Sequence, residues 1–239
     1  MKRKKYEFTG ETMEQDGAVL RRIRATRSFN DVEKGEIGGW IESEANLSHY
    51  GTCWVYDKAK VWGKAMVCDN ADVFGNSEVF GKAHVRGFAQ VFGEAKVFGH
   101  AEIYGFSDVC VHAIVAGKAS VHGYAHVHGY AQVYGHAIVF GYAQVYGHAR
   151  VFGYAEVCGN AEIAGNAKVG SNGDYTVFKN FWSSYRWFTY TRSNKMWKVG
   201  CFYGTGQELK RKSMEDGIGK FMFYSAHVDM IEGLERATE

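Results

Sequence analysis

Residues 119 to 154 have the sequence ASVHGY AHVHGY AQVYGH AIVFGY AQVYGH ARVFGY, six consecutive copies of the pattern Ala-x-Val-x-Gly-x. The same six-residue period extends from Ala59 to Val169 without an insertion or a deletion. Of the nineteen first positions, seventeen are Ala, and the other two are Ser77 and Ser107. The third position is always Val or Ile, and the fifth is Gly except at Asp69, Val111 and Ser171. Such a period indicates a stack of identical units.

Each hexad has the properties of one short strand followed by a corner. In Ala-x-Val the two named residues point to the same side, and the small Ala and the β-favouring Val suit a narrow interior. The Gly can adopt a positive φ and turn the chain. Six residues are too few for a strand, a helix and a return. We therefore predict a coil whose successive hexads form the sides of a prism, with strands of stacked coils paired in parallel.

These hexads resemble the hexapeptide-repeat family over roughly residues 35 to 170. The resemblance implies a mainly β protein built on a left-handed parallel β-helix, in which three hexads complete one coil. Nineteen hexads then make just over six coils. Proteins of phages and mobile elements contain similar Val-x-Gly-x-Ala solenoids, which implies a phage-encoded chain.

The sequence on either side of the hexads predicts different structures. We expect an N-terminal β cap over residues 1–46, the β-helix over 47–170 and a small α+β domain over 171–239. In that last domain, aromatic residues alternate on both sides of a hairpin turn at Arg192-Ser193-Asn194. Two amphipathic helices are predicted over Gln207–Asp216 and Lys220–Leu234.

The composition restricts where the protein acts. The formal net charge is only +2, so no overall field commits the chain to nucleic acid or membrane. The five Cys are scattered, without a CxxC pair, which favours a reducing compartment. The basic Met1 to Lys5 precede no apolar stretch, so we expect no signal peptide. We predict a cytoplasmic protein (in the host cytoplasm if phage-encoded), with no membrane partner and no cofactor.

Outward positions taken in steps of 18 residues form aromatic columns. Such columns either staple successive coils together or form a subunit interface. Hexapeptide-repeat proteins are typically parallel homotrimers, so the resemblance implies an interface for at least one column. The candidate interface residues are Phe80, Phe98, Tyr134 and Phe152 on one side, and Phe88, Phe106, Tyr124 and Tyr142 at one corner.

Histidines cluster in the same stretch, and His122, His126 and His128 are close in number. The family includes acyltransferases that use a His as general base, and a carbonic anhydrase branch that binds zinc through three His. The sequence offers no evident supporting carboxylate or Arg, and no loop interrupts the hexads to build an acceptor pocket. We therefore assign no catalytic residue and no metal ligand, and the chain leans away from an enzyme.

The C-terminal domain is predicted to bind a ligand. Basic and aromatic residues alternate there, bases stack on aromatic rings, and Arg or Lys binds phosphates. Gly204-Thr205-Gly206 precedes a predicted helix, whose free N–H groups suit an anion. The candidate ligand residues for a nucleotide or other phosphorylated small molecule are Arg186, Tyr190, Arg192, Trp197, Tyr203, Thr205 and Lys210.

Together these features favour a non-enzymatic homotrimeric binding protein. With the phage resemblance, its expected role is counter-defence, either by sequestering a nucleotide signal or by blocking a host defence protein. One alternative is a hexapeptide-class acyltransferase or a carbonic-anhydrase-like metal enzyme. Another is a structural component of a larger assembly.

Overall fold

A computed structural model describes residues 4 to 237. The beginning of the basic N-terminal segment, Met1 to Arg3, lies outside the described residues, as do Thr238 and Glu239. The chain starts with the antiparallel hairpin of β1 (Tyr6–Gln15) and β2 (Ala18–Ala25). The third strand, β3 (Ile37–Ile41), pairs antiparallel with β2. This small sheet covers the N-terminal end of the solenoid.

The solenoid itself consists of two-residue strands, each followed by a corner. They are β4 (Trp54–Val55), β5 (Lys60–Val61), β6 (Met66–Val67), β7 (Asp72–Val73), β8 (Glu78–Val79), β9 (His84–Val85), β10 (Gln90–Val91), β11 (Lys96–Val97), β12 (Glu102–Ile103), β13 (Asp108–Val109), β14 (Ile114–Val115), β15 (Ser120–Val121), β16 (His126–Val127), β17 (Gln132–Val133), β18 (Ile138–Val139), β19 (Gln144–Val145), β20 (Arg150–Val151), β21 (Glu156–Val157), β22 (Glu162–Ile163) and β23 (Lys168–Val169).

Every third strand belongs to the same parallel sheet, so the prism has three faces. Face 1 contains β3, β5, β8, β11, β14, β17, β20 and β23; face 2 contains β6, β9, β12, β15, β18 and β21; face 3 contains β4, β7, β10, β13, β16, β19 and β22. At three strands per turn this makes about seven turns. The stack is longer than the exact hexads alone because β3 joins it, with Trp40 opposite Lys60. The parallel β-helix is thus confirmed, and its left-handed winding stays a prediction from the resemblance.

One hydrogen-bond pattern holds the coils in register. The N–H of each outward residue donates to the carbonyl of an inward residue one coil further on, as Lys96 does to Ala113 at 2.9 Å. The Ala and Val columns are buried throughout, which confirms the predicted core. Where Ser replaces Ala the hydroxyl is satisfied. Ser107 donates to the carbonyl of Tyr104 at 2.9 Å and lies 3.2 Å from that of Val121.

The corners stack as closely as the strands. The corner Gly residues have positive φ, +78° at Gly105, and Asp69 and Val111 take the same conformation at +58° and +64°. A Cβ atom on Gly105 would lie 2.9 Å from the backbone nitrogen of Gly123 in the next coil. Glycine is therefore required at this corner for its conformation and for the close approach of the next turn.

The C-terminal domain has the predicted α+β composition. The antiparallel sheet comprises β24 (Tyr175–Lys179), β25 (Trp187–Thr191), β26 (Met196–Val199) and β27 (Phe202–Gly204). The helices α1 (Gly206–Glu215) and α2 (Ile218–Arg236) confirm the two predicted helices, and they cover a core that includes Phe188, Trp197 and Val228. Across residues 4 to 237, no helix has the length and apolar character needed to cross a membrane.

The C-terminal segment also ends the solenoid by satisfying the open edge of its last turn. On each face the outward N–H that would otherwise meet another coil donates to a side-chain oxygen. These bonds are Glu156 to Asn172 at 2.7 Å, Glu162 to Thr189 at 3.0 Å, and Lys168 to Ser193 at 2.7 Å. Because an unpaired sheet edge invites pairing with another chain, these contacts cap the stack.

The corner geometry gives a matched test of stability. Gly105→Ala adds both a strained positive φ and a clash with the next coil, so we expect it to lower the free energy of unfolding by about 2–4 kcal/mol. Gly159→Ala shares the positive φ, but a Cβ there meets no atom within 4 Å. It should lose only about 1–2 kcal/mol from strain. Urea denaturation followed by circular dichroism measures both, and equal losses would contradict the stacking argument.

Candidate functional site

The outward strand residues of face 3 form a polar column. Because the coils stack in exact register, residues 18 apart are neighbours on the surface. From the N-terminal end the column contains Asp72, Gln90, Asp108, His126, Gln144 and Glu162. Its centre combines a carboxylate with an imidazole, which are groups capable of proton transfer.

Asp108 and His126 form the central pair of this column. His126 Nδ1 lies 3.0 Å from Asp108 Oδ2, with side-chain exposures of 47% and 25%. Burial raises the pKa of the Asp108 carboxyl, and the neighbouring His126 opposes that rise. An imidazole whose Nδ1–H donates to a carboxylate is fixed in orientation and presents Nε2 as the proton acceptor. The pair is therefore built like the base and orienting carboxylate of a general-base site.

Aromatic and sulfur side chains flank this pair on face 3. The preceding corner carries Phe106 and Tyr124, whose ring centroids lie 5.1 Å apart. On the other side, the positions two residues after the pair are occupied by Cys110 and His128. Burial and then Asp108 raise the pKa of the Cys110 thiol, and burial and then His126 lower the pKa of His128. His128 thus favours its neutral form and stacks on Tyr146 at 5.0 Å.

The three histidines that are close in number do not form one cluster. His126 and His128 share face 3, but His122 follows a face 2 strand and stacks between Tyr104 at 4.6 Å and Phe140 at 5.3 Å. Within residues 4 to 237, no group of three His, Cys, Asp or Glu side chains could hold a metal ion. The supporting carboxylate that sequence reasoning missed is Asp108, and the same 18-residue step that revealed the aromatic columns would have found it.

The two predicted interface columns differ in exposure. On face 1, Phe80 stacks on Trp62 at 4.6 Å and on Phe98 at 4.9 Å, and Tyr134 stacks on Phe152 at 5.6 Å. Apart from Tyr134, which is 36% exposed, these predicted interface rings are half-buried. The corner column is an exposed ladder of parallel rings, 4.9–5.1 Å apart and 47–60% exposed, formed by Phe88, Phe106, Tyr124 and Tyr142. We call these four residues the corner ladder. A continuous exposed apolar stripe of this kind is typical of an interaction surface.

The predicted C-terminal ligand residues are mostly engaged in folding the domain. Trp197 and Tyr190 are 0% and 1% exposed in its core, so neither ring is open to a stacked base. Tyr203 is partly exposed, but its hydroxyl donates to the carbonyl of Ala164 at 3.3 Å and thereby contacts the last turn of the solenoid. The aromatic part of the predicted nucleotide site is therefore packing instead.

The charged and capping residues of that prediction are also engaged. Arg192 Nε lies 3.3 Å from Glu235 Oε1, and Lys210 pairs with Asp229. Thr205 is the N-cap of α1, and the Glu208 carboxylate accepts the Thr205 N–H at 2.8 Å. A carboxylate already occupies the helix N-terminus where an anion was predicted. Arg186 alone lines a separate depression, with Lys212 and Lys220. The structure does not bring the seven residues together.

Comparison with known proteins supports the repeat architecture. A family model described as the YdcK beta solenoid repeat matches residues 131–143 and 143–159. A curated protein described as an uncharacterized acetyltransferase YdcK, from Escherichia coli (strain K12), is 50% identical over 40 residues. That similarity covers 17% of this chain and 12% of the relative's own length. Together with the fold, these matches support a β-solenoid of the hexapeptide type. The phage or mobile-element type stays a prediction.

Asp72, at the N-terminal end of the face 3 column, predicts a pH dependence of stability. Burial and then Asp31 raise the pKa of Asp72 to about 6. The folded state therefore binds this proton more tightly than the unfolded state, and stability from this group falls as pH rises from about 4 to about 6. Asp72→Asn removes the buried charge. We expect it to raise the free energy of unfolding by about 1–2 kcal/mol at pH 8 and to change little at pH 3.5.

Urea denaturation at both pH values measures this difference. Glu156→Gln is the matched control, because Glu156 occupies the equivalent outward strand position on face 2 and is exposed. A gain for Asp72→Asn that is the same at both pH values would contradict the proposed proton linkage.

Proposed function

We propose that the protein is an acyltransferase of the hexapeptide class, with His126 as general base and Asp108 as its orienting carboxylate. The observation that carries the proposal is the 3.0 Å contact between His126 Nδ1 and Asp108 Oδ2 on an open face. The local similarity to a protein described as an acetyltransferase supports the same class. A histidine in the neutral range of pKa suits a general base at physiological pH.

The chemistry requires one proton to move twice. His126 Nε2 takes the proton of an acceptor amine or hydroxyl while that atom attacks the carbonyl carbon of an acyl thioester. The C–S bond then breaks, and the imidazolium returns the proton to the leaving thiolate. Asp108 stabilises the imidazolium in between, because its carboxylate already faces Nδ1.

The open surface around the pair indicates where substrates would bind. From Ala59 to Val169 the hexads run without an inserted loop, so one chain builds no deep acceptor pocket at His126. The corner ladder lies directly beside the pair, since Tyr124 precedes His126 by two residues. A second subunit packed on the corner ladder would wall the site, and this arrangement agrees with the homotrimer that the family resemblance implies.

Substitution of the base tests the proposal. We expect wild-type protein to release free thiol from acetyl-coenzyme A in the presence of a panel of amine and hydroxyl acceptors. His126→Ala should lower kcat by about 100-fold or more, and Asp108→Asn should lower it while leaving the fold intact.

His84→Ala is the matched control, because His84 is an exposed outward strand residue on face 2. It should retain full activity. A His126→Ala variant as active as wild type, or a wild-type protein that turns over no acyl thioester, would disprove the assignment.

A second candidate is a non-enzymatic homotrimeric binding protein, and the corner ladder favours it. Four stacked aromatic rings about half exposed on a single chain are the kind of stripe that a partner covers. The partner in this proposal is two further copies of the chain. The counter-defence role expected from the phage resemblance is one form of this candidate, and a structural assembly component is another.

Mass in solution tests the role of the corner ladder. We expect sedimentation to show three chains of 26.8 kDa in wild-type protein. The double variant Phe106→Ser with Tyr124→Ser should sediment as a monomer while its circular dichroism is unchanged. Tyr154→Ser removes an equally exposed ring from a different corner and should leave the trimer intact. A wild-type monomer, or a double variant that remains trimeric, would contradict this interface.

A further inference from the structure

The aromatic column of face 1 is interrupted at a single position. The residues that follow its strands are Trp62, Phe80, Phe98, Ala116, Tyr134 and Phe152. The first three rings stack at 4.6 and 4.9 Å, and the last two at 5.6 Å. Within the described residues, no ring contact joins Phe98 to Tyr134. The methyl group of Ala116 stands where the column would otherwise have a ring.

The dimensions of this break match one planar ring. Two coil spacings separate the positions of Phe98 and Tyr134, which is about 10 Å. A ring inserted halfway would lie about 5 Å from each neighbour, the spacing that the column uses elsewhere. The floor is Ala116, which is 8% exposed, and Tyr134 on one wall is 36% exposed. We call the space bounded by Phe98, Ala116 and Tyr134 the ring slot.

Positive charge lies beside the ring slot. The corner that follows the column contains Lys82, His100 and Lys118, all exposed, in three successive turns. They border an open depression of about 440 Å³ that also includes Ser120, His84 and Glu102. Of the ion pairs among residues 4 to 237, none involves Lys82 or Lys118, while Glu102 pairs with Arg86 at 3.3 Å. This edge can therefore bind an anion attached to the inserted ring.

The other broken column of the solenoid lacks this combination. On face 3, Cys110 stands between Phe92 and His128, but its thiol is larger than a methyl group and Asp108 lies next to it. The following corner contains Glu94 paired with His112 at 3.2 Å. An anionic ligand would meet carboxylates there. Only at Ala116 do a ring-sized break and unpaired lysines adjoin within the described part of the chain.

We propose that the ring slot binds the base of a nucleotide, which stacks between Phe98 and Tyr134 while its phosphates contact Lys118 and Lys82. Stacking on two aromatic rings tolerates any base, and the lysines select for phosphate. The site is on face 1, away from the Asp108–His126 pair on face 3, and it does not depend on the acyltransferase proposal.

Filling the slot with a protein ring tests this directly. Ala116→Phe completes the column and should keep or raise the thermal stability. It should weaken adenosine 5′-diphosphate binding, measured by calorimetry, by about 10-fold or more. Cys110→Phe fills the break on face 3 and is the matched control, with unchanged binding. Lys82→Ala with Lys118→Ala should weaken adenosine diphosphate binding while leaving adenosine, which has no phosphate, unaffected.

Comparison of ligand fragments separates the two components of the site. Adenosine diphosphate should bind more tightly than either adenosine or inorganic pyrophosphate. Pyrophosphate binding equal to that of adenosine diphosphate would show a charge site alone and overturn the ring slot. Undiminished binding in Ala116→Phe, or no heat from adenosine diphosphate with wild-type protein, would overturn it as well.

Discussion

The hydrogen bond between an outward N–H and an inward carbonyl one coil further on is the constraint from which the rest of the structure follows. It fixes a step of 18 residues, three hexads, from the first turn to the last. Because that step is constant, any residue type that recurs at it becomes a column on the surface. The stacked rings and the Asp108–His126 pair are both consequences of this register. An insertion of a single residue would misalign every column beyond it.

The fold was predictable because the hexads state it redundantly. Every inward position repeats, so no single substitution obscures the period, and even Ser107 is accommodated by bonds to nearby carbonyls. The ends were less predictable. The strand β3 joins face 1 although Gly38 and Gly39 break the Ala-x-Val pattern, because a Cβ on Gly39 would lie 2.5 Å from the Ala59 carbonyl oxygen. Close packing against the cap, and not the repeat, determines that sequence.

The candidate site was only partly predictable. His126 was noticed by its sequence neighbours, whereas its carboxylate partner is adjacent only across coils, so chain distance concealed it. In the C-terminal domain the error had the opposite cause. Alternation in β25 and β26 shows that the strands have two faces, but not which face the helices cover. Since α1 and α2 pack over Tyr190 and Trp197, the rings expected to bind a ligand became core. Only tertiary packing decides between the two faces.

One turn of the solenoid concentrates the departures from the repeat. Between residues 107 and 116, Ser107 replaces Ala, Val111 replaces Gly and Ala116 replaces an outward aromatic ring, while Asp108 supplies the carboxylate for His126. Val111 holds a φ of +64°, a conformation that is unfavourable for a β-branched residue. A stack that needed only stability would carry Gly and a ring here, as neighbouring turns do. Strain and a break in stacking at the same turn as the acid–base pair therefore indicate that this turn serves binding or chemistry, while the turns on either side keep it in register.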